Sequence, residues 1–128
     1  MLATVTAFYA SVLAALIVTL GINVTIHRAK LGVPIGDGGN AEMLRMIRLH
    51  GNAVEYVPLG LLLMLAFEIN GGRHWALHAA GIALVAARVL QTWGMWWTPK
   101  PTIGRVCGQS LTWATIAALA LLNLWKLV

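Results

Sequence analysis

A chain of 128 residues that is 59% hydrophobic, 10% charged and has a mean hydropathy of +0.79 departs from soluble domains, where about 25% of residues are charged. The composition excludes an ordinary soluble globular class and points to an integral membrane protein. A net charge of +5 would suggest nucleic acid as the partner of a soluble domain, but these basic residues sit at the ends of apolar segments, where topology places them, so no nucleic-acid partner is expected.

Four spans follow from apolar length: about Thr4 to Ile26, Met46 to Ile69, His74 to Trp97 and Ile103 to Lys126, each near the ~20 residues a bilayer requires. Met1 to Ile26 has no basic n-region and its apolar run is long enough to span, so a first helix kept in the mature chain is expected rather than a secretory signal. Arg28 to Asn40 contains Pro34 and the cluster Gly36-Asp37-Gly38-Gly39-Asn40. It reads as a flexible connection; without a Walker lysine or a preceding strand it is no phosphate loop.

The second span opens on the densest polar stretch, Arg45 to Pro58. On a helix, Arg45, Arg48, Asn52 and Glu55 share one face, and Pro58 removes the bond to the Val54 carbonyl, which predicts a kink. The short turn Asn70-Gly71-Gly72-Arg73 makes spans two and three an antiparallel hairpin. Within the third span lies Arg88, a charge that is costly at membrane depth and so faces the bundle. Glu55 precedes the turn by about as many residues as Arg88 follows it, so the two are expected at matching depth as an ion pair. A register-fixing pair would explain these two residues alone; the addition of Arg48 and Asn52 favours an anion-binding pocket.

Also in the third span, His74 and His78 have chelating i, i+4 spacing but no third ligand, so no metal site is expected. Trp93, Trp96 and Trp97 read as an aromatic belt, of which Trp93 or Trp96 could also line a groove for an apolar electrophile, and Gly81 as a point of close helix contact. Pro99 and Pro101 separate the last two spans, with Thr102 a plausible cap. The single Cys107 excludes an intrachain disulfide and a CxxC site. Arg28, Lys30, Arg45, Arg48, Lys100 and Arg105 mark one side of the membrane, against Arg73 and Lys126 on the other. The first side is therefore expected to be cytoplasmic, with both termini outside.

Arg48-x-x-x-Asn52-x-x-Glu55-Tyr56-x-Pro58, followed by Glu68, Gly71 and Arg88 in four spans, resembles the MAPEG family, the membrane-associated proteins in eicosanoid and glutathione metabolism, in its bacterial form. The resemblance covers nearly the whole chain and implies a single all-α domain over residues 1–128: a four-helix membrane bundle assembling as a homotrimer in the bacterial inner membrane. It implies glutathione as cosubstrate, curved between neighbouring subunits near the cytoplasmic side, and transfer of its thiolate to a lipophilic electrophile, or reduction of a lipid peroxide. Arg28, Arg48, Asn52, Glu55, Tyr56 and Arg88 are the implied glutathione-binding residues, with Gln91 as a helper, and Arg105 the stabiliser of the thiolate. Gln91 and Met95 depart from the tyrosines common in the family, although Gln91 can still donate a hydrogen bond. A non-catalytic scaffold or ligand-binding protein is the alternative, and a small transporter ranks last because the first span holds no acid.

Overall fold

The computed structural model describes residues 2–127, folded as four helices: α1 (Thr4–Leu31), α2 (Ala41–Ile69), α3 (His74–Trp96) and α4 (Ile103–Leu127). All four are long and apolar enough to cross a membrane. The helix boundaries exceed the apolar runs at one end. α1 continues five residues past Ile26, and α2 begins five residues before Met46, because hydrogen-bonded backbone need not stop where the hydrocarbon does. α1 ends on Gly32 in the left-handed conformation (φ 65°), with its N–H on the Arg28 carbonyl. Asn40 caps α2, its Oδ1 accepting from the Met43 N–H at 3.0 Å. The connection expected to be flexible has no regular secondary structure from Gly32 to Asn40, and local hydrogen bonds hold it, the Asp37 carboxylate accepting from the Gly39 N–H at 2.9 Å.

α2 and α3 each touch every other helix, whereas α1 and α4 do not meet. The bundle is therefore a rhombus with α2 and α3 across its short diagonal. Tyr9, Leu13, Val57, Met64, Leu77, Leu84 and Leu119 form the main core. A smaller cluster of Met43, Met46, Leu49 and Met95 fills the end nearer the α1–α2 turn. α2 runs unbroken through Pro58.

Glycines set how closely the helices approach. Gly81 lies against the Tyr9 ring, as its smallness predicts. The tighter seam is between α3 and α4, where a Cβ on Gly108 would stand 2.6 Å from the Ala87 carbonyl oxygen and from the Gln91 backbone nitrogen, and Gly94 faces the backbone of Gly104 and Arg105. Gly104-x-x-x-Gly108 is thus a small-residue contact motif. Thr102 finishes the seam: its hydroxyl donates to the Gly94 carbonyl at 2.7 Å and accepts from the Arg105 N–H at 3.2 Å.

At the opposite end, the carboxylate of Glu68, 3% exposed, accepts from the N–H groups of Val5 and Thr6 at 2.9 and 2.7 Å. These are orphan donors of the first turn of α1, which otherwise lacks a side-chain cap. Lys126 donates to the carbonyls of Asn70 and Gly71 at 3.3 and 2.8 Å. Both described chain ends therefore gather at the α2–α3 turn. Replacing Glu68 by Ala removes two charge-assisted bonds and is expected to cost about 2–3 kcal/mol, read as a lower thermal midpoint in detergent; an unchanged midpoint would show that α1 needs no such anchor.

Candidate functional site

The glycine seam presses α4 onto α3 at the level of Arg88, and this contact builds the site. Arg88 is 2% exposed. Its Nη1 donates to Asn52 Oδ1 at 2.8 Å and its Nη2 to the Thr112 hydroxyl. Thr112 in turn donates to the Gly108 carbonyl at 2.9 Å. Gln91, 4% exposed, donates from Nε2 to the same Asn52 oxygen at 2.8 Å, and the Tyr56 ring centre lies 5.9 Å from the guanidinium carbon, within cation–π range.

The expected Glu55–Arg88 pair does not form. Glu55 has a side chain 50% exposed and pairs with Arg48 at 3.2 Å, while Arg88 takes Asn52 and Thr112 instead. The match in depth stands, but the bearing around the helix does not. At 100° per residue Glu55 lies about 60° from Asn52 and only about 20° from Arg48. The single polar face of α2 is therefore two stripes: Arg45, Asn52 and Tyr56 turn inward, and Arg48 with Glu55 lies beside them. Rotating Glu55 inward would strip its carboxylate of water, whereas the neutral amide of Asn52 accepts two donors at smaller desolvation cost.

A cleft of about 340 Å³ opens in front of this network, lined by Asn52 and Tyr56 from α2 and Gln91 from α3. α4 supplies the facing wall with Arg105, Val106, Gln109, Ser110 and Trp113. The volume is at the lower end of small-molecule sites, about 300–1,000 Å³. Three polar atoms of the lining residues are buried without a partner: Gln91 Oε1 and both amide ends of Gln109. Bare buried amides are unfavourable at this depth, and a bound polar molecule would relieve them once small side-chain rotations admit it. Arg105 holds the loop end of the cleft and donates to the Pro99 carbonyl at 3.0 Å.

Of the residues singled out from the sequence, Asn52, Tyr56, Gln91 and Arg105 converge on this cleft. Arg88 lies behind it, and Arg48 with Glu55 stands on the adjoining stripe. Arg28 is elsewhere in the chain, donating to the carbonyls of Gly36 and Val33 at 2.7 and 3.3 Å and so closing the α1–α2 turn. Met95 is 4% exposed among the methionines of the smaller core cluster and does not line the cleft. Trp93, Trp96 and Trp97 do line an apolar depression of about 320 Å³ with Leu16, sharing no residue with the cleft. His78 Nδ1 is 3.0 Å from the Tyr9 hydroxyl, and His27 is 3.4 Å from Glu42.

Gln109, Ser110 and Thr112 escape the sequence reading, in which Trp113 belongs only to the aromatic belt. Two signals could have found them: Gln109 follows Arg105 by four residues and Trp113 by eight, which keeps them on one side of α4, and Thr112 continues the Gly104, Gly108 spacing on the side pressed to α3.

The sequence profile of the MAPEG family matches residues 6–125 of this chain. Two curated relatives, each named inner membrane protein YecN and coming from Escherichia coli strains K12 and O6:H1, are 39% identical over 121 residues, covering 94% of this chain and 91% of theirs.

The hydrogen-bond network predicts an order of mutational damage. Asn52→Leu leaves Arg88 buried without its main acceptor and is expected to cost about 3 kcal/mol, whereas Glu55→Gln disturbs only an exposed pair and should cost under about 1 kcal/mol. Thermal unfolding in detergent checks this, and greater damage from Glu55→Gln would restore Glu55 as the partner of Arg88.

Proposed function

The chain belongs to the MAPEG family, and from that premise we propose that it binds glutathione in the Asn52–Gln91–Arg105 cleft and transfers the thiolate to a lipophilic electrophile. The observation that carries the reading is the convergence on one cleft of Asn52, Tyr56, Gln91 and Arg105, with buried amides of Gln91 and Gln109 left without partners. Glutathione offers two carboxylates, an ammonium, two peptide groups and a thiol. Arg48 and Glu55, beside the cleft and largely exposed, suit its charged ends, since a guanidinium fork matches a carboxylate and a carboxylate matches an ammonium.

A free thiol with a pKa near 8.5 is mostly protonated at neutral pH. Lowering that value by two units takes about 2.7 kcal/mol of preference for the anion. Among the described residues Arg105 is the one cation lining the cleft, so it is assigned to hold the thiolate while sulfur attacks the electrophile. The assembly is a homotrimer in the bacterial inner membrane, surrounded by lipid. The excess of Lys and Arg at the α1–α2 and α3–α4 end supports a cleft that faces the cytoplasm, with both termini outside. Because α1 does not touch α4 within a subunit, Arg28 would reach a cleft only from the neighbouring subunit.

One observation favours a second reading, a ligand-binding protein without turnover. Gln91 commits one of its two amide N–H groups to Asn52, and Arg105 is the cleft residue given the main task of steadying the thiolate.

Ultraviolet difference absorbance on adding glutathione to the detergent-solubilised protein distinguishes the two. The transferase reading predicts a thiolate signal at neutral pH that Arg105→Ala abolishes, and no signal in the unmodified protein selects the second reading. Arg48→Ala is expected to weaken calorimetric glutathione affinity about tenfold through loss of a charge-assisted contact; unchanged affinity would remove Arg48 from the site.

A further inference from the structure

We propose that Arg88 is a positioning residue rather than a ligand contact: anchored on Thr112, it fixes the polarity of two cleft amides, so that Asn52 meets the ligand as a donor and Gln91 as an acceptor. The inference deepens the glutathione reading and rests on it only for the identity of the ligand.

Oxygen and nitrogen of a side-chain amide have nearly the same shape, so their placement must follow from chemistry. A guanidinium has donors only. The Asn52 atom 2.8 Å from Arg88 Nη1 is therefore oxygen, and Nδ2 is turned away from Arg88. Among the described residues Nδ2 has no hydrogen-bond partner and is not sealed from its surroundings, and Asn52 lines the cleft. The same oxygen accepts from Gln91 at 2.8 Å, which makes that Gln91 atom Nε2 and leaves Oε1, buried and unpartnered, as the acceptor.

Thr112 completes the chain of forced directions. Its own proton goes to the Gly108 carbonyl at 2.9 Å, so its oxygen is free to accept from Arg88 Nη2. Arg88, 2% exposed and outside the cleft lining, acts on the ligand only through Asn52 and Gln91. Such a pair of amides, one offering N–H and the other C=O, is matched by a peptide group, whose carbonyl meets Asn52 and whose N–H meets Gln91. Glutathione carries two peptide groups; a thiol with none would leave both amides unanswered.

The test uses the full chain in detergent, read by thermal midpoint and by calorimetric titration with glutathione. Asn52→Asp places a carboxylate against Arg88, so the midpoint is expected to hold or rise, while glutathione affinity falls at least about tenfold because the new group has no N–H to donate. Thr112→Val should weaken affinity about threefold to tenfold, with Thr112→Ser restoring it. The Asn52→Asp effect on the midpoint should turn into a loss in an Arg88→Met background, where the carboxylate has no cation. Unchanged glutathione affinity in Asn52→Asp, or a lower midpoint with Arg88 intact, overturns the proposal. If the unmodified protein binds no glutathione, the functional reading fails by itself, and the midpoints of Asn52→Asp with and without Arg88 still decide the relay. Should Arg88→Met not fold, the midpoint of Asn52→Asp alone decides it.

Discussion

A guanidinium at membrane depth must find its hydrogen-bond partners inside the protein, and the position of Arg88 makes much of this bundle answer to that need. It is buried, it has no carboxylate partner among the described residues, and it is held by the amide of Asn52, the hydroxyl of Thr112 and the face of Tyr56. Two helices supply these partners and a third carries the charge. α2 must present Asn52 and Tyr56, α3 must carry Arg88 inward, and α4 must come close enough for a short threonine side chain to reach. The absence of side chains at Gly94, Gly104 and Gly108 permits that last approach.

The same contact produces the cleft. Once Gly108 sits on the backbone of Ala87 and Gln91, the next side of α4 carries Arg105, Gln109 and Trp113 past the mouth of the Arg88 network. Polar groups from α2 and α3 and the Arg105 cation from α4 thus meet around one buried charge. The Glu68 anchor fixes the other end of the bundle by the same logic, with a buried acid answered by backbone donors instead of by a cation.

Much of this was legible in the sequence. Apolar length gave four helices and the short Asn70–Arg73 connection gave the hairpin, since span length and turn chemistry are local properties. The inward position of Arg88 and its depth relative to α2 followed from cost and from counting residues. Its partner did not, because choosing between Asn52 and Glu55 depends on a rotation of about 60°, and helix rotation is set by packing. Thr112 and Gln109 were hidden for a related reason: their importance appears only when Gly108 is known to touch α3. Glu68 was visible as part of a family resemblance, but its bond to α1 joins residues some sixty positions apart.

The central claim is that a polar cleft receives glutathione in front of an Arg88 that stays bonded to Asn52 and Thr112. Its most direct test is an experimental structure of the protein in a lipid nanodisc with glutathione at saturating concentration. The account predicts the tripeptide in the Asn52–Gln91–Arg105 cleft, sulfur toward Arg105, and the Arg88 contacts intact. Arg88 swung onto Glu55 or onto the ligand, or a cleft filled by a neighbouring helix, would contradict it.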